Sequence, residues 1–378
     1  MKLEAAIDDD FSDLALRLNS LSVTADDSSP ISSSYIADKN NGSLVKEKLS
    51  LLYRKMCFSE TWDFAHFIWK PTMKGIDQGI LTRLHEIGGF INHLPQNSSL
   101  TTKWGLVETL DVLYQHHSDV TFPTLKCDRT TKRLIASTIR SKMNQQVFGS
   151  YFIVKPLNMF GGEDVRIFHS FEDLKWFLGN PRVRDCVVQK YLENPMLYKG
   201  FKFDLRVFVL MKTDPNGELK AWVYNDFYGK RCAVPYSLQS RDDVVHKTNT
   251  CLQVLSAPKG SGINVDDLHL SVDQIDSECG NSVSTSVIQL SLDVFKRLLK
   301  SEKMCLNLNP DRLSCCFELF GLDIILDSDG NPWLLEVNQN PSLALDTRLS
   351  RSFIPKLVEE TLPLALGLSE NSSSWIVV

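Results

Sequence analysis

Asp323, Glu336 and Asn338 are the side chains of this sequence best suited to do chemistry together. They fall in Phe317-Glu318-Leu319-Phe320-Gly321-Leu322-Asp323 and Trp333-Leu334-Leu335-Glu336-Val337-Asn338. Two strand-like runs, 320–326 and 333–337, flank the turn Asp327-Ser328-Asp329-Gly330-Asn331-Pro332, which is a hairpin signature. Such a hairpin brings Asp323 alongside Glu336 and Asn338. Three oxygen donors converging from adjacent strands suit Mg²⁺, a hard cation that completes its shell with water and phosphate oxygens. Asp323 and Glu336 each interrupt an apolar strand, where an unpaired charge is costly. The alternative is a buried ion pair with no metal. Asp327, Asp329 and Asn331 are ordinary turn residues and receive no role.

A second row of charges lies in Lys202-Phe203-Asp204-Leu205-Arg206-Val207-Phe208-Val209-Leu210. Strand alternation puts Lys202, Asp204 and Arg206 on one face and Phe203, Leu205, Val207 and Val209 on the other. A solvated strand face would alternate in the same way. Charges so closely spaced also suit phosphates and an anionic substrate. Ile153-Val154-Lys155-Pro156 ends a strand on a lysine and precedes Gly161-Gly162-Glu163-Asp164-Val165. A glycine turn there can close backbone N–H groups over phosphates, although a surface lysine beside a turn is the commoner explanation for such a match. Val187-Val188-Gln189-Lys190-Tyr191-Leu192 reads as a strand whose end could pair with an adenine edge, or as a plain core strand. Further on, Lys230-Arg231 and His246-Lys247-Thr248-Asn249 supply polar groups next to strands. The latter set could hold nucleotide or orient an acceptor; it could equally be a satisfied turn.

These residues need a scaffold, and the chain is long enough to build one. Its 378 residues allow a large core and two or three subdomains. Hydrophobic residues at 43% and charged residues at 23% are those of an ordinary soluble globular protein. A net charge of −5 argues against a generic nucleic-acid binder, and no apolar run approaches the ~20 residues of a membrane-spanning helix. The acidic first ten residues do not read as a secretory signal, and nine dispersed cysteines read as reduced cytosolic thiols.

Residues 1–45 are rich in Ser, Asp and Asn and are expected to be disordered, apart from a short helix near 11–21. Strands are expected over 151–154, 186–189, 203–212 and 219–224, and helices over 171–178, 287–300 and 353–362. Leu100-Thr101-Thr102-Lys103 reads as a capped helix start. The polar stretch 257–286 reads as a mobile insertion. Alternating strands and helices from Tyr151 onward indicate an α/β or α+β core.

In this order, Lys155-Pro156, Gln189-Lys190-Tyr191, Lys202-Phe203-Asp204-Leu205-Arg206, His246-Lys247-Thr248-Asn249, Cys316–Asp323 and Trp333–Asn338 resemble the tubulin–tyrosine ligase-like family. Asn92-His93-Leu94-Pro95, Lys103 and Phe122-Pro123 add earlier echoes. The resemblance covers roughly residues 60–366 and is specific in its C-terminal half.

It implies an α+β ATP-grasp fold, two subdomains clasping ATP, preceded by a small N-terminal α/β domain. The expected divisions are a disordered 1–45, an N-terminal domain over 46–130, a catalytic region over 131–366 and a tail over 367–378. It also implies a Mg²⁺- and ATP-dependent ligase that joins an amino acid to tubulin C-terminal tails through an acyl phosphate. The expected location is cytoplasmic microtubules, including those of a cilium or flagellum.

By match of position, Lys155, Gly161, Gly162 and Lys202 would meet the ATP phosphates. Gln189, Lys190, Tyr191 and Leu192 would form the adenine hinge, and Asp204 and Asn249 would hold ribose or the incoming amino acid. Arg206 would serve the acceptor or phosphate region. Lys230, His246 and Thr248 would line the amino-acid pocket, and Asp323, Glu336 and Asn338 would carry Mg²⁺.

Two departures from the family pattern stand out. Asp164 occupies a position where a glycine is usual, placing a carboxylate near the phosphates and restricting the backbone. Lys230 replaces an arginine, losing the planar fork for a carboxylate, and Arg231 compensates only if the strand register slips. The segment Asn340–Asp346 looks more like glutamylating members than like the tyrosine ligase, so glutamate is the favoured free amino acid. The expected glutamylase would use a partner subunit or prefer particular tubulin forms. Tyrosine or glycine addition is the alternative, as is a catalytically weak scaffold that binds tubulin.

Overall fold

The computed structural model describes residues 33–36, 41–52, 57–58, 61–62, 65–128, 130–157, 164–180, 182–256, 264–280 and 282–378. Its strands form three sheets that follow one another along the chain. The first is built from β1 (Ser33–Ile36), β2 (Cys57–Phe58), β3 (Phe67–Trp69) and β4 (Phe90–Ile91), in the order β2-β1-β3-β4. Next come β5 (Thr124–Cys127), β6 (Phe152–Pro156), β7 (Arg166–Phe168) and β8 (Cys186–Lys190), antiparallel in the order β5-β8-β6-β7. The third sheet contains β9 (Leu197–Tyr198), β10 (Phe201–Thr213), β11 (Leu219–Arg231), β12 (His269–Ser271), β13 (Phe317–Leu326), β14 (Pro332–Gln339) and β15 (Trp375–Val377). Its main path is β12-β11-β10-β13-β14, with β15 on β11 and β9 on β10.

Strand alternation on β10 explains how the third sheet packs. Leu205, Val207 and Val209 turn to one face, where they join Val287, Val294, Phe295 and Leu298 of the helix Val283–Lys300. Phe208 and Leu210 turn to the other, against Phe353, Ile354 and Leu357 of the helix Arg348–Ala365. Lys202, Asp204 and Arg206 share that second face, nearer the start of the strand. One face of one strand thus changes from charged to apolar along its length, and the charged half lies beyond the cover of the helix. β13 is buried at every position, so its two carboxylates, Glu318 and Asp323, must both be paired.

Glu318 meets that demand by tying the first sheet's region to the third. It accepts from Leu94 N (2.9 Å) and Asn97 Nδ2 (2.9 Å), and its Oε1 lies 2.8 Å from His93 Nδ1. The other His93 nitrogen donates to the Lys70 carbonyl at 2.7 Å. Burial disfavours the imidazolium, but Glu318 outweighs it and raises the His93 pKa.

Several expectations from the sequence are revised. Within 1–45, β1 is an interior strand of the first sheet and the helix Gly42–Leu52 buries Leu44, Val45 and Leu49. A short polar strand has weak local signal, and here its sheet neighbours supply the order. The helix expected near 11–21 lies outside the described residues. The stretch 257–286 is not simply a mobile insertion: from 264 it forms a 3₁₀ turn, β12, the capped helix Val272–Cys279 and the start of Val283–Lys300. Its few apolar residues are well placed, with Leu268, Leu270, Ile275 and Val283 all buried. The boundary expected at 130 cuts after β5, which pairs with β8 in the second sheet. The C-terminal stretch 367–378 ends in β15, whose Trp375 is buried.

Candidate active site

A cleft of about 420 Å³ opens between the second and third sheets. Ile153, Lys155, Val187 and Gln189 line it from one side, and Lys202, Asp204, Arg206, Asp323 and Glu336 from the other. Lys103 and Leu106, at the start of the helix Lys103–Tyr114, complete the wall. Thr102 caps that helix by accepting from Gly105 N, as the sequence suggests.

Four neighbouring strands carry the charged floor. Asp204 faces Lys230 across β10 and β11, Arg206 faces Asp323 across β10 and β13, and Asp323 faces Glu336 across β13 and β14. The hairpin read from the sequence is present as β13–β14, and its turn is closed by Asp327 accepting from Asp329 N, Asn331 N and Trp333 Nε1. Arg206 forks onto Asp323 at 2.7 Å (Nε) and 3.2 Å (Nη2). Lys230 Nζ sits between Asp323 Oδ1 (3.1 Å) and Asp204 Oδ1 (3.2 Å). Gly321 makes room for this arrangement: a Cβ there would lie 2.8 Å from Pro341 Cβ and 3.0 Å from Arg206 Cδ.

The electrostatics follow from burial and neighbours. Burial opposes ionisation of Asp323, but Arg206 and Lys230 overcome it and hold the carboxyl well below the usual carboxylate range. Glu336 moves the other way, raised first by burial and then by Asp323 beside it. Asn338 Nδ2 donates to both, at 3.3 Å to Asp323 Oδ2 and 3.1 Å to Glu336 Oε1. A buried and a half-buried carboxylate that interact, and an amide oxygen, are a donor set that a hard divalent cation fits. Among the described residues no group of three or more His, Cys, Asp and Glu side chains is placed to hold a metal ion. Lys155 and Lys202 have pKa values lowered by burial, with Glu336 partly opposing this at Lys155.

The other expected site residues fall into three groups. Gln189, Lys190, Tyr191 and Leu192 line the cleft, but the Lys190 and Tyr191 amides already donate to Pro123 O (2.9 Å) and Tyr151 O (3.1 Å). His246, Thr248 and Asn249 also line it. His246 Nε2 bonds the Ser240 carbonyl (2.8 Å), which leaves Nδ1 to accept from Tyr191 OH (2.8 Å), and burial lowers the His246 pKa. Lys202 Nζ donates to the same Tyr191 oxygen at 2.9 Å. Thr248 Oγ1 donates to Asp204 Oδ2. His246 and Thr248 thus line the cleft while hydrogen-bonded to Tyr191 and Asp204. Gly161 and Gly162 lie outside the described residues.

Arg231 does not stand in for Lys230. The β10–β11 register, unbroken from Phe203↔Arg231 to Val207↔Phe227, turns it away, onto the Phe201 ring (4.4 Å) and the carbonyls of Asp267 and Cys232. Asp164 has φ 55°, the left-handed region that glycine favours, and its side chain is exposed. Sequence reasoning gave Lys103 no site role. Its signals were the helix start and the family echo, and the cleft wall becomes visible only when that helix is docked.

The sequence matches the description "Tubulin-tyrosine ligase family" over residues 82–373. The chain belongs to the tubulin-tyrosine ligase family. Among its curated relatives is "Probable tubulin polyglutamylase TTLL9" of Bos taurus, 35% identical over 186 residues, covering 48% of this chain and 38% of that protein. "Tubulin polyglutamylase TTLL6" of Homo sapiens is 28% identical over 306 residues, 75% of this chain and 32% of that protein. "Tubulin glycylase 3B" of Tetrahymena thermophila is 25% identical over 248 residues, 64% and 20% of the two chains. The chain thus spans well under half the length of these relatives. No helix among the described residues is long and apolar enough to cross a membrane.

Proposed function

We propose that this chain is an ATP- and Mg²⁺-dependent carboxylate–amine ligase that adds an amino acid, glutamate in first place, to tubulin tails. One observation carries the reading: Lys230–Asp204 and Arg206–Asp323–Glu336 lie in register across four strands and face the cleft. The two sheets that bound this cleft support an ATP-grasp arrangement, and the family of the chain supports the use of ATP. Glutamate rests on the names of the polyglutamylase relatives; the glycylase relative makes glycine the second reading.

The residues divide the work by charge. Lys155 and Lys202 would offset the triphosphate, together with Gly161 and Gly162. The segment Gln189–Leu192 would take the adenine, and Asp204 and Asn249 the ribose or the incoming amino acid. Arg206 and Lys230 would face the anionic acceptor and the amino acid's carboxylate. Asp323, Glu336 and Asn338 would hold Mg²⁺, which when bound supplies positive charge against the transferring phosphoryl group.

A carboxylate is a poor acyl donor until one oxygen can leave. Phosphoryl transfer from ATP to the carboxylate releases ADP and gives an acyl phosphate. The amine then attacks the carbonyl, forms the amide and expels phosphate. The fixed charges act by positioning and electrostatic stabilisation.

The test is incubation with Mg·ATP, tubulin and labelled glutamate, glycine or tyrosine in parallel. Incorporation of one amino acid that disappears in Glu336→Gln supports the reading and names the donor. No incorporation with any of the three, with and without a tubulin-binding accessory fraction, rejects it in favour of a scaffold.

A further inference from the structure

A chain of hydrogen bonds runs from Asp111 to Gln189, reaching the cleft wall at Thr124. His117 Nδ1 lies 2.9 Å from Asp111 Oδ1, and the Thr124 N–H reaches His117 Nε2 at 3.1 Å. The imidazole therefore carries its proton on Nδ1 and accepts at Nε2, which clamps the backbone of Thr124. The Thr124 hydroxyl donates to the Phe122 carbonyl at 2.7 Å. Its single proton is committed there, so Oγ1 can only accept from Gln189 Nε2, 2.9 Å away. This fixes which way round the Gln189 amide sits: nitrogen toward Thr124, leaving Oε1 as the atom it offers to a ligand. Gln189 is 6% exposed and lines the cleft.

We infer that Thr124 is a specificity-determining positioning residue: by locking Gln189 as a hydrogen-bond acceptor, it makes the cleft select a 6-amino over a 6-oxo purine nucleotide. A 6-amino group donates to Oε1, whereas a 6-oxo group presents a second acceptor to it. A buried polar site discriminates most strongly against a ligand that leaves it unpaired. The inference rests on the reading of this cleft as the ATP site.

The experiment is calorimetric titration of the full chain with ATP and with inosine triphosphate, in Mg²⁺, for the parent, Thr124→Val and Thr124→Ser. The parent is expected to bind ATP at least about tenfold more tightly than the 6-oxo nucleotide. Thr124→Val frees the amide to turn and should shrink that ratio to about twofold, chiefly by tightening the 6-oxo nucleotide. Thr124→Ser keeps the hydroxyl and should keep the ratio. General loosening of the site would weaken both nucleotides together and leave the ratio alone. An unchanged ratio in a folded Thr124→Val that still binds ATP overturns the role of Thr124 and leaves the ATP reading standing. Should Thr124→Val fail to fold, Gln189→Met must collapse the ratio, and a retained ratio overturns the inference. Equal binding of both nucleotides by the parent also overturns it, and binding of neither overturns the ATP reading with it.

Discussion

Arg206 and Asp323 are register partners on adjacent strands, joined by a two-point fork of 2.7 and 3.2 Å, and Lys230 closes the set by bridging Asp323 to Asp204. Two buried carboxylates and two largely buried cations therefore neutralise one another in the cleft. Removing one cation from such a set leaves a carboxylate uncompensated. Lys230→Met is expected to cost about 3 kcal/mol of stability and to abolish ligation, whereas Lys230→Arg keeps the charge and most of the stability. Chemical denaturation of the two variants checks this; equal losses would mean that the ammonium's charge is not what matters.

Glu336 is the opposite case, a carboxyl kept above its usual range by burial and by Asp323. Glu336→Gln preserves shape and the Asn338 contact while relieving the repulsion. Its thermal midpoint should equal or exceed that of the parent, and ATP-dependent label incorporation should vanish. Activity that survives the substitution would remove Glu336 from the metal set.

Asp164 separates a backbone effect from a charge effect. At φ 55° alanine is strained and glycine is not. Asp164→Ala should lose about 1 kcal/mol of stability, and Asp164→Gly should hold stability while tightening ATP binding. Unchanged or weaker ATP affinity in the glycine variant would reject repulsion between this carboxylate and the phosphates.

The buried His93–Glu318 pair gives a pH signature. The folded pKa of His93 is raised, so its contribution is fully present below the unfolded value of about 6.5 and fades as pH rises through the folded value. Glu318→Gln should therefore be destabilised by about 3 kcal/mol near pH 6, with the gap to the parent narrowing toward pH 9. A gap that widens with pH would show that His93 is neutral in the folded protein.

Deletion of residues 1–40 tests the revised N-terminus. β1 lies between β2 and β3, so the truncated chain should melt several degrees lower and lose cooperativity. An unaltered melting curve would show that β1 adds nothing to the first sheet.

The sequence by itself determined the parts of the site whose order is local. The β13–β14 hairpin is written in two apolar runs around an Asp/Gly/Asn turn, which places Asp323 opposite Glu336. Alternation along β10 puts Lys202, Asp204 and Arg206 on one face without reference to the rest of the chain. Tertiary structure decided everything that depends on distant partners. Only the β10–β11 register sets Lys230 against Asp204 and turns Arg231 away. Only the packing of β5 on β8 brings Thr124 to Gln189, 65 positions apart. Ser33–Ile36 and the 264–286 stretch look polar and weak in isolation because their order comes from sheet neighbours and a few buried side chains. His246 and Thr248 read as pocket residues from their types alone, while only the tertiary structure shows which of their hydrogen bonds are already made, to Ser240, Tyr191 and Asp204.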